Sequence, residues 1–233
     1  VLPAGVSTNG AITATGGTLS GCPASGATSL AGCTVASGTN GPVVITVPVA
    51  VAANAANPTV NTATVTGGGD PTCTNCSGTT TNPVIDAVND ASTGQPGQAG
   101  TFNVSTNDKF PVGSTFTQTA TTCVPAGTMT GAVANFTYPG TTGASCTVTY
   151  SVCAPAPNTT ICDTAVLTVT AGAAPALTVT KSATPAVLVV GGTGQVYTIT
   201  ISVANGPTTA AINVSDVLPA GVSTNGAITA TGG

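Results

Sequence analysis

The sequence predicts an all-β protein of tandem antiparallel β-sandwich domains with an immunoglobulin-like pattern. Three observations carry this. Of 233 residues, 41% are hydrophobic but only 3% aromatic, and Gly and Pro number 30 and 17. Helix formers other than Ala are scarce, whereas β-branched and turn residues abound. Apolar residues recur with period two, and no long stretch shows helical periodicity. Finally, eight cysteines without one histidine read as disulfides bracing small β-domains.

Residues 195–205, QVYTITISVAN, place Tyr197, Ile199, Ile201 and Val203 on one face and Thr198, Thr200 and Ser202 on the other. Residues 42–52, PVVITVPVAVA, align Val43, Ile45, Val47, Val49 and Val51. Such runs are half-buried strands of an antiparallel sheet. Pro48 inside the second run predicts an edge or a bulge. With so few aromatics, the core is expected to consist of Val, Ile and Ala.

The chain repeats itself. Residues 1–17, VLPAGVSTNGAITATGG, recur without change as residues 217–233. Chance does not produce such a match. The offset from Val1 to Val217 predicts a window of a tandem array with a period of 216 residues. Residues 211–218, AINVSDVL, read as a strand running into the second copy, so the window begins and ends inside a domain. Each half-domain then needs a neighbour, by covalent continuation or by strand exchange between subunits. Covalent continuation is preferred, since a free subunit would carry the 17 residues twice with one obvious place to seat them.

Two segments resemble known families. Residues 175–223, PALTVTKSATPAVLVVGGTGQVYTITISVANGPTTAAINVSDVLPAGVS, resemble the DUF11-type surface repeat: a Lys-bearing first strand, a YTITV-like strand and a D-x-LP-x-G turn. That pattern usually ends in an NTATVT-like strand, and NTATVT stands at residues 61–66. Residues 82–110, NPVIDAVNDASTGQPGQAGTFNVSTNDKF, with 136–153 and 164–170, resemble bacterial cadherin-like or Ig-like repeats. The resemblances imply three parts: residues 1–81, the C-terminal part of a DUF11-like sandwich; 82–172, an Ig/cadherin-like sandwich; and 173–233, the N-terminal part of the next DUF11-like sandwich. Short joints are expected at Ser77–Asn82 and 171–174. Both families imply extracellular or cell-surface proteins, and such folds carry many functions.

Composition narrows the partners. The charged residues are six Asp and two Lys, Lys109 and Lys181, for a net charge of −4. Nucleic acid needs clustered basic residues, so it is not expected. No run of 18 apolar residues occurs, so no membrane span is expected. The cysteines are Cys22, Cys33, Cys73, Cys76, Cys123, Cys146, Cys153 and Cys162. Near-neighbour pairing gives Cys22–Cys33, Cys73–Cys76, Cys123–Cys146 and Cys153–Cys162, the last suiting a hairpin, although sequence alone leaves connectivity open. A zinc reading of CTNC at 73–76 lacks a second CxxC, and a redox reading lacks a helix N-terminus. Disulfides place the protein outside the cytosol.

Lys181 shares strand parity with Leu177 and Val179, so it points with core residues. A buried Lys needs a partner or a shifted pKa. Lys181, Asn61 and Asp216 together offer the amine, amide and acid of an intramolecular isopeptide bond, as in some pilin and adhesin domains. The competing reading is a Lys whose head reaches water, with Asp216 capping a turn.

Asp86, Asn89, Asp90, Asn107 and Asp108 are oxygen ligands of the calcium type near a domain joint, or else ordinary Asx turns. Sequons at Asn75, Asn103, Asn135, Asn158 and Asn213, and Thr79 to Thr81, offer attachment points for glycans. Without His or Glu no catalytic set is found, and an enzyme is not expected. The expectation is a non-catalytic structural repeat of an extracellular microbial filament, self-associating head to tail and laterally. A cell-surface adhesin stalk is the alternative. A carbohydrate-binding module would need an aromatic platform from Phe102, Phe110, Phe116, Phe136, Tyr138, Tyr150 and Tyr197.

Overall fold

A computed structural model describes residues 1–232. Seventeen strands and one 3₁₀ turn, but no α-helix, form among the described residues. The chain divides into two compact units, Val1–Gly172 and Ala173–Gly233.

The first unit opens with β1 (Val6–Thr8), β2 (Thr13–Thr15), β3 (Leu19–Ser20), β4 (Thr34–Val35), β5 (Val44–Thr46), β6 (Val49–Val51), β7 (Thr59–Thr64) and β8 (Ser77–Asn82). These form four separate antiparallel pairs: β1 with β6, β2 with β5, β3 with β4 and β7 with β8. The run 42–52 is thus two strands rather than one. Pro48 has no N–H for a ladder, so pairing breaks there, and its carbonyl accepts from Asn9 N at 2.8 Å. Ser77–Asn82 is not a joint either. It pairs along its length with β7, because Thr79 to Thr81 are β-branched and suit a pleated ladder. The Thr62 and Thr79 hydroxyls hydrogen-bond across it at 2.8 Å.

The second half of this unit holds β9 (Asp90–Gly94), β10 (Ala99–Asn103), β11 (Thr115–Thr121), β12 (Thr128–Thr130), β13 (Val133–Thr137), β14 (Ser145–Cys153) and β15 (Cys162–Ala171). They make a three-stranded sheet, β10-β13-β12, and a four-stranded sheet, β11-β14-β15-β9. Residues of both share one core, in which Val104, Ala134, Val148, Tyr150, Val152, Leu167 and Val169 are almost wholly buried. Alternation is strict along β14 and β15, where every second residue from Cys146 and from Ala165 is buried. Each fully buried Val or Leu contributes about 1.5–3 kcal/mol. One ladder departs from the antiparallel expectation, since β9 runs parallel to β15 at the sheet's edge.

The second unit contains β16 (Ala176–Thr184) and β17 (Val196–Ala204), an antiparallel pair in continuous register from Ala176↔Ala204 to Thr184↔Val196. None of its described residues is buried. Residues 211–218, expected to be a strand, are not one. Their alternating pattern finds no ladder partner within this unit, and a strand needs one.

Candidate interaction surface

The repeated sequence occurs in two states. In the first copy, Val6, Ser7 and Thr8 pair with Val51, Ala50 and Val49. Leu2, Val6 and Thr8 are buried. The Thr8 hydroxyl donates to Ala24 O at 2.8 Å and accepts from Ala27 N at 2.9 Å. In the second copy, the equivalent Val222 and Thr224 form no strand and Thr224 is exposed.

The local backbone is nonetheless the same. Gly5, Gly10 and Gly16 have φ of 76°, 136° and 83°, and their twins Gly221, Gly226 and Gly232 have 84°, 147° and 85°. Val6 N donates to Pro3 O at 3.0 Å, as Val222 N does to Pro219 O. The 17 residues therefore fix their own turns, while their strands need the residues that follow the first copy.

Beside the seated copy lies an apolar groove of about 450 Å³. Leu2, Val6, Val49, Val51, Val84 and Ile85 line it, with Thr59 and Asn61 of β7 at one side. Val49 and Val51 remain 46% and 50% exposed. Thr59 is buried, and its hydroxyl has no hydrogen-bond partner. A buried hydroxyl left unpaired costs about 1–3 kcal/mol.

The groove is held against the sandwich by contacts the sequence does not announce. Asn57 accepts from Val84 N at 2.9 Å and donates to Phe110 O at 3.2 Å. Lys109 donates to Ala55 O at 2.9 Å and also to Ala53 O, and lies 3.6 Å from Asp86. The one available signal was scarcity, since Lys109 is one of two cations.

In the second unit, one face of the β16–β17 pair carries Leu177, Val179, Lys181 and Ala183 opposite Val203, Ile201, Ile199 and Tyr197. Val179 is 63% exposed. Lys181 has the predicted parity but is not buried. Its ammonium meets Asp216 Oδ1 at 2.7 Å and sits 4.4 Å above the Tyr197 ring. Cation–π attraction and the partly exposed ion pair hold it in place. Asn61 lies in the first unit, opposite Thr80.

The Asx residues of the calcium-type set are spread over separate bonds. Asp86 faces Lys109. Asn89 accepts from Val166 N at 2.9 Å, and Asn107 donates to Asn89 O at 3.3 Å. Asp108 accepts from Val88 N at 2.7 Å. Asp90 and Asp108 both lie within 3.2 Å of the Tyr150 hydroxyl. Burial raises both carboxyls above the usual carboxylate range, against the opposing pull of hydrogen bonds. Burial, then the charges of Asp108 and Asp90, raises the Tyr150 phenol, which stays protonated. Among the described residues, no group of three or more His, Cys, Asp or Glu is placed to hold a metal ion.

The cysteines form four pairs: Cys22–Cys33, Cys73–Cys76, Cys123–Cys146 and Cys153–Cys162. Cys153 and Cys162 stand directly opposite each other on β14 and β15. Of the sequon residues, Asn75, Asn103, Asn158 and Asn213 are exposed, and Asn135 is half-buried within β13. Asn103 uses its side chain to accept from Ser105 N, capping the 3₁₀ turn. No protein-family model, curated protein or solved structure matches the chain.

Proposed function

We propose that this chain is a non-catalytic repeat of an extracellular structural filament. The repeated 17-residue sequence carries the reading. It is one half of a structural element, seated where residues 18–66 follow it and unseated at 217–232. A chain that repeats such an element extends by adding neighbours. The uncovered apolar surfaces in the two units support the same view.

The DUF11-like and cadherin-like resemblances fit surface repeats, with the DUF11-like domain split between 175–216 of one copy and about 1–66 of the next. Four disulfides, with no helix among the described residues long and apolar enough to cross a membrane, are compatible with an oxidising, extracellular setting. An adhesin stalk is the alternative of the same class. A carbohydrate platform has less support. Phe136 and Tyr150 are core residues, Phe102, Phe110, Phe116 and Tyr138 pack against them, and Tyr197 lies beneath Lys181. Exposed sequons and Thr-rich segments would carry any glycan coat.

Denaturing mass analysis of native material, with and without reductant, tests this alongside negative-stain microscopy. Filaments whose chains are many multiples of 21.9 kDa establish a covalent array. Filaments of chains near that mass establish exchanged subunits. Monodisperse particles with no filament overturn the reading.

A further inference from the structure

We propose that the groove beside β1 and β6 is the seat of the β16–β17 hairpin of a second copy of this chain. The proposal rests on the filament reading and names the surfaces that join one repeat to the next.

Two observations converge on a second copy. The first is chain order. In the repeat, Asp216 directly precedes the 17-residue element. The seated element places Leu2 and Pro3 at the groove. Whatever precedes that element in the repeat therefore arrives at the groove's mouth, and what precedes it is the segment carrying β16 and β17. Twelve residues, 205–216, separate Ala204 from the element. The last of them, Asp216, is held at Lys181, so the element begins directly beside the hairpin's apolar face.

The second is complementarity. A lone two-stranded sheet is at best marginally stable in water. This one has an apolar face of Leu177, Val179, Ile199, Ile201 and Val203 with no layer over it. The groove exposes Val49 and Val51, at 46% and 50%, with the partly buried Val84 and Ile85 beside them. Its one charged lining residue, Asp86, is paired to Lys109, and the hairpin's Lys181 is paired to Asp216. Lys181 shares the hairpin's face, so the sheet-on-sheet layer is made by Leu177, Val179, Ile201 and Val203, with the Lys181–Asp216 pair left intact at its margin, because burying it would cost desolvation.

The contact is heterologous, hairpin to groove, so it propagates rather than closes. Sedimentation velocity on the full chain and two variants tests this. Val179→Lys disables the hairpin, and Val49→Lys disables the groove. Wild type is expected to form a concentration-dependent ladder of oligomers. Each variant alone is expected to be monomeric, with association weakened about 100-fold or more by the buried charge.

An equimolar mixture of the two variants gives the deciding result. The intact hairpin of one fits the intact groove of the other, so the mixture forms dimers and nothing longer. Site-resolved NMR spectra matching wild type away from each substitution, in residues 1–66 and 173–216, show that both variants are folded. Association of Val49→Lys by itself, through hairpin against hairpin, overturns the proposal. So does a mixture of folded variants that stays monomeric. Wild type that stays monomeric up to about 100 μM also overturns it, while leaving the filament reading standing if native material still shows filaments.

Discussion

Val6 and Val222 are the same residue of one repeated sequence, yet Val6 is buried opposite Val51 and Val222 has no cross-strand partner. Both make the same local hydrogen bond, to Pro3 O and Pro219 O at 3.0 Å. The pair separates what a sequence encodes locally from what it borrows. Turn geometry is local, because glycine alone reaches positive φ without cost. Burial is borrowed, because a strand has no stability outside a ladder.

Amide exchange reads this difference directly. Thr8, whose amide donates to Ala27 O at 2.8 Å, is expected to exchange more slowly than Thr224 by about 100-fold or more, reflecting a few kcal/mol of local stability. Site-resolved NMR is the measurement. Equal rates at the two positions would show that the first copy is not seated in solution.

The disulfides differ in what they hold. Cys123–Cys146 closes a separation of 23 residues at the edge of the sandwich core. Its removal as a double alanine variant is expected to cost about 3 kcal/mol through loop entropy. That corresponds to a fall in Tm of more than about 10 °C. Cys73–Cys76 spans only three residues in an exposed loop. Replacing both of its cysteines by Ser is expected to cost less than about 1 kcal/mol. Calorimetry of the two variants distinguishes them.

Legibility in the sequence followed the range of the interaction. The alternation at 195–205 was readable because period two alone assigns each residue to a face, and the pairing of near-neighbour cysteines needed only short loops; the strands at 136–153 and 164–170 were placed only by resemblance. The face shared by Lys181 and Leu177 was also within reach of parity, and Asp216 was named beside Lys181 as the acid of a crosslink set, where the structure gives an ion pair. The break at Pro48 was half legible, since a missing N–H predicts disruption without saying whether the strand bends or stops. Ser77–Asn82 misled because small polar residues usually mark joints, whereas the ladder with β7 uses their β-branching. Residues 211–218 misled for the opposite reason. Their pattern is that of a strand, but a pattern does not supply a partner. The groove, and the Lys109 bonds to Ala53 and Ala55, were not legible, because they join segments about 50 residues apart with no local signature.

Asp90 and Asp108 make the sandwich sensitive to pH. Both carboxyls are raised in the folded state, chiefly by burial. At pH values between the unfolded carboxyl pKa and the raised folded one, the native state binds more protons than the unfolded state. Their contribution therefore falls as pH rises through that window, from about 4 upward. Stability is expected to be lower at pH 7 than at pH 4 on account of this pair. Urea unfolding of wild type against Asp108→Asn checks it, the variant showing a flatter profile. Tyr150→Phe removes the hydroxyl both carboxylates face, and is expected to cost about 1–3 kcal/mol at pH 7.

Gly5 and Gly221 allow the seat of the repeated element to be weighed against its own backbone. Both sit at positive φ, 76° and 84°, so alanine at either costs about 1–2 kcal/mol of strain. A Cβ on Gly5 would also lie 2.6 Å from Ala55 N, whereas one on Gly221 meets nothing within 4 Å. Gly5 O accepts from Ala52 N at 2.8 Å, so the neighbouring backbone cannot retreat without losing that bond. Gly5→Ala is therefore expected to exceed Gly221→Ala by about 1–3 kcal/mol, the usual cost of overpacking. The strain is common to both variants and cancels, so the difference measures the seat alone. In a chain of two full repeats, the second element gains the residues that seat the first. The cost of Gly221→Ala should then rise to that of Gly5→Ala. Thermal denaturation of the single and double repeats carries the test, and a Gly221→Ala cost that stays small in the double repeat would show that the second element is not seated as the first is.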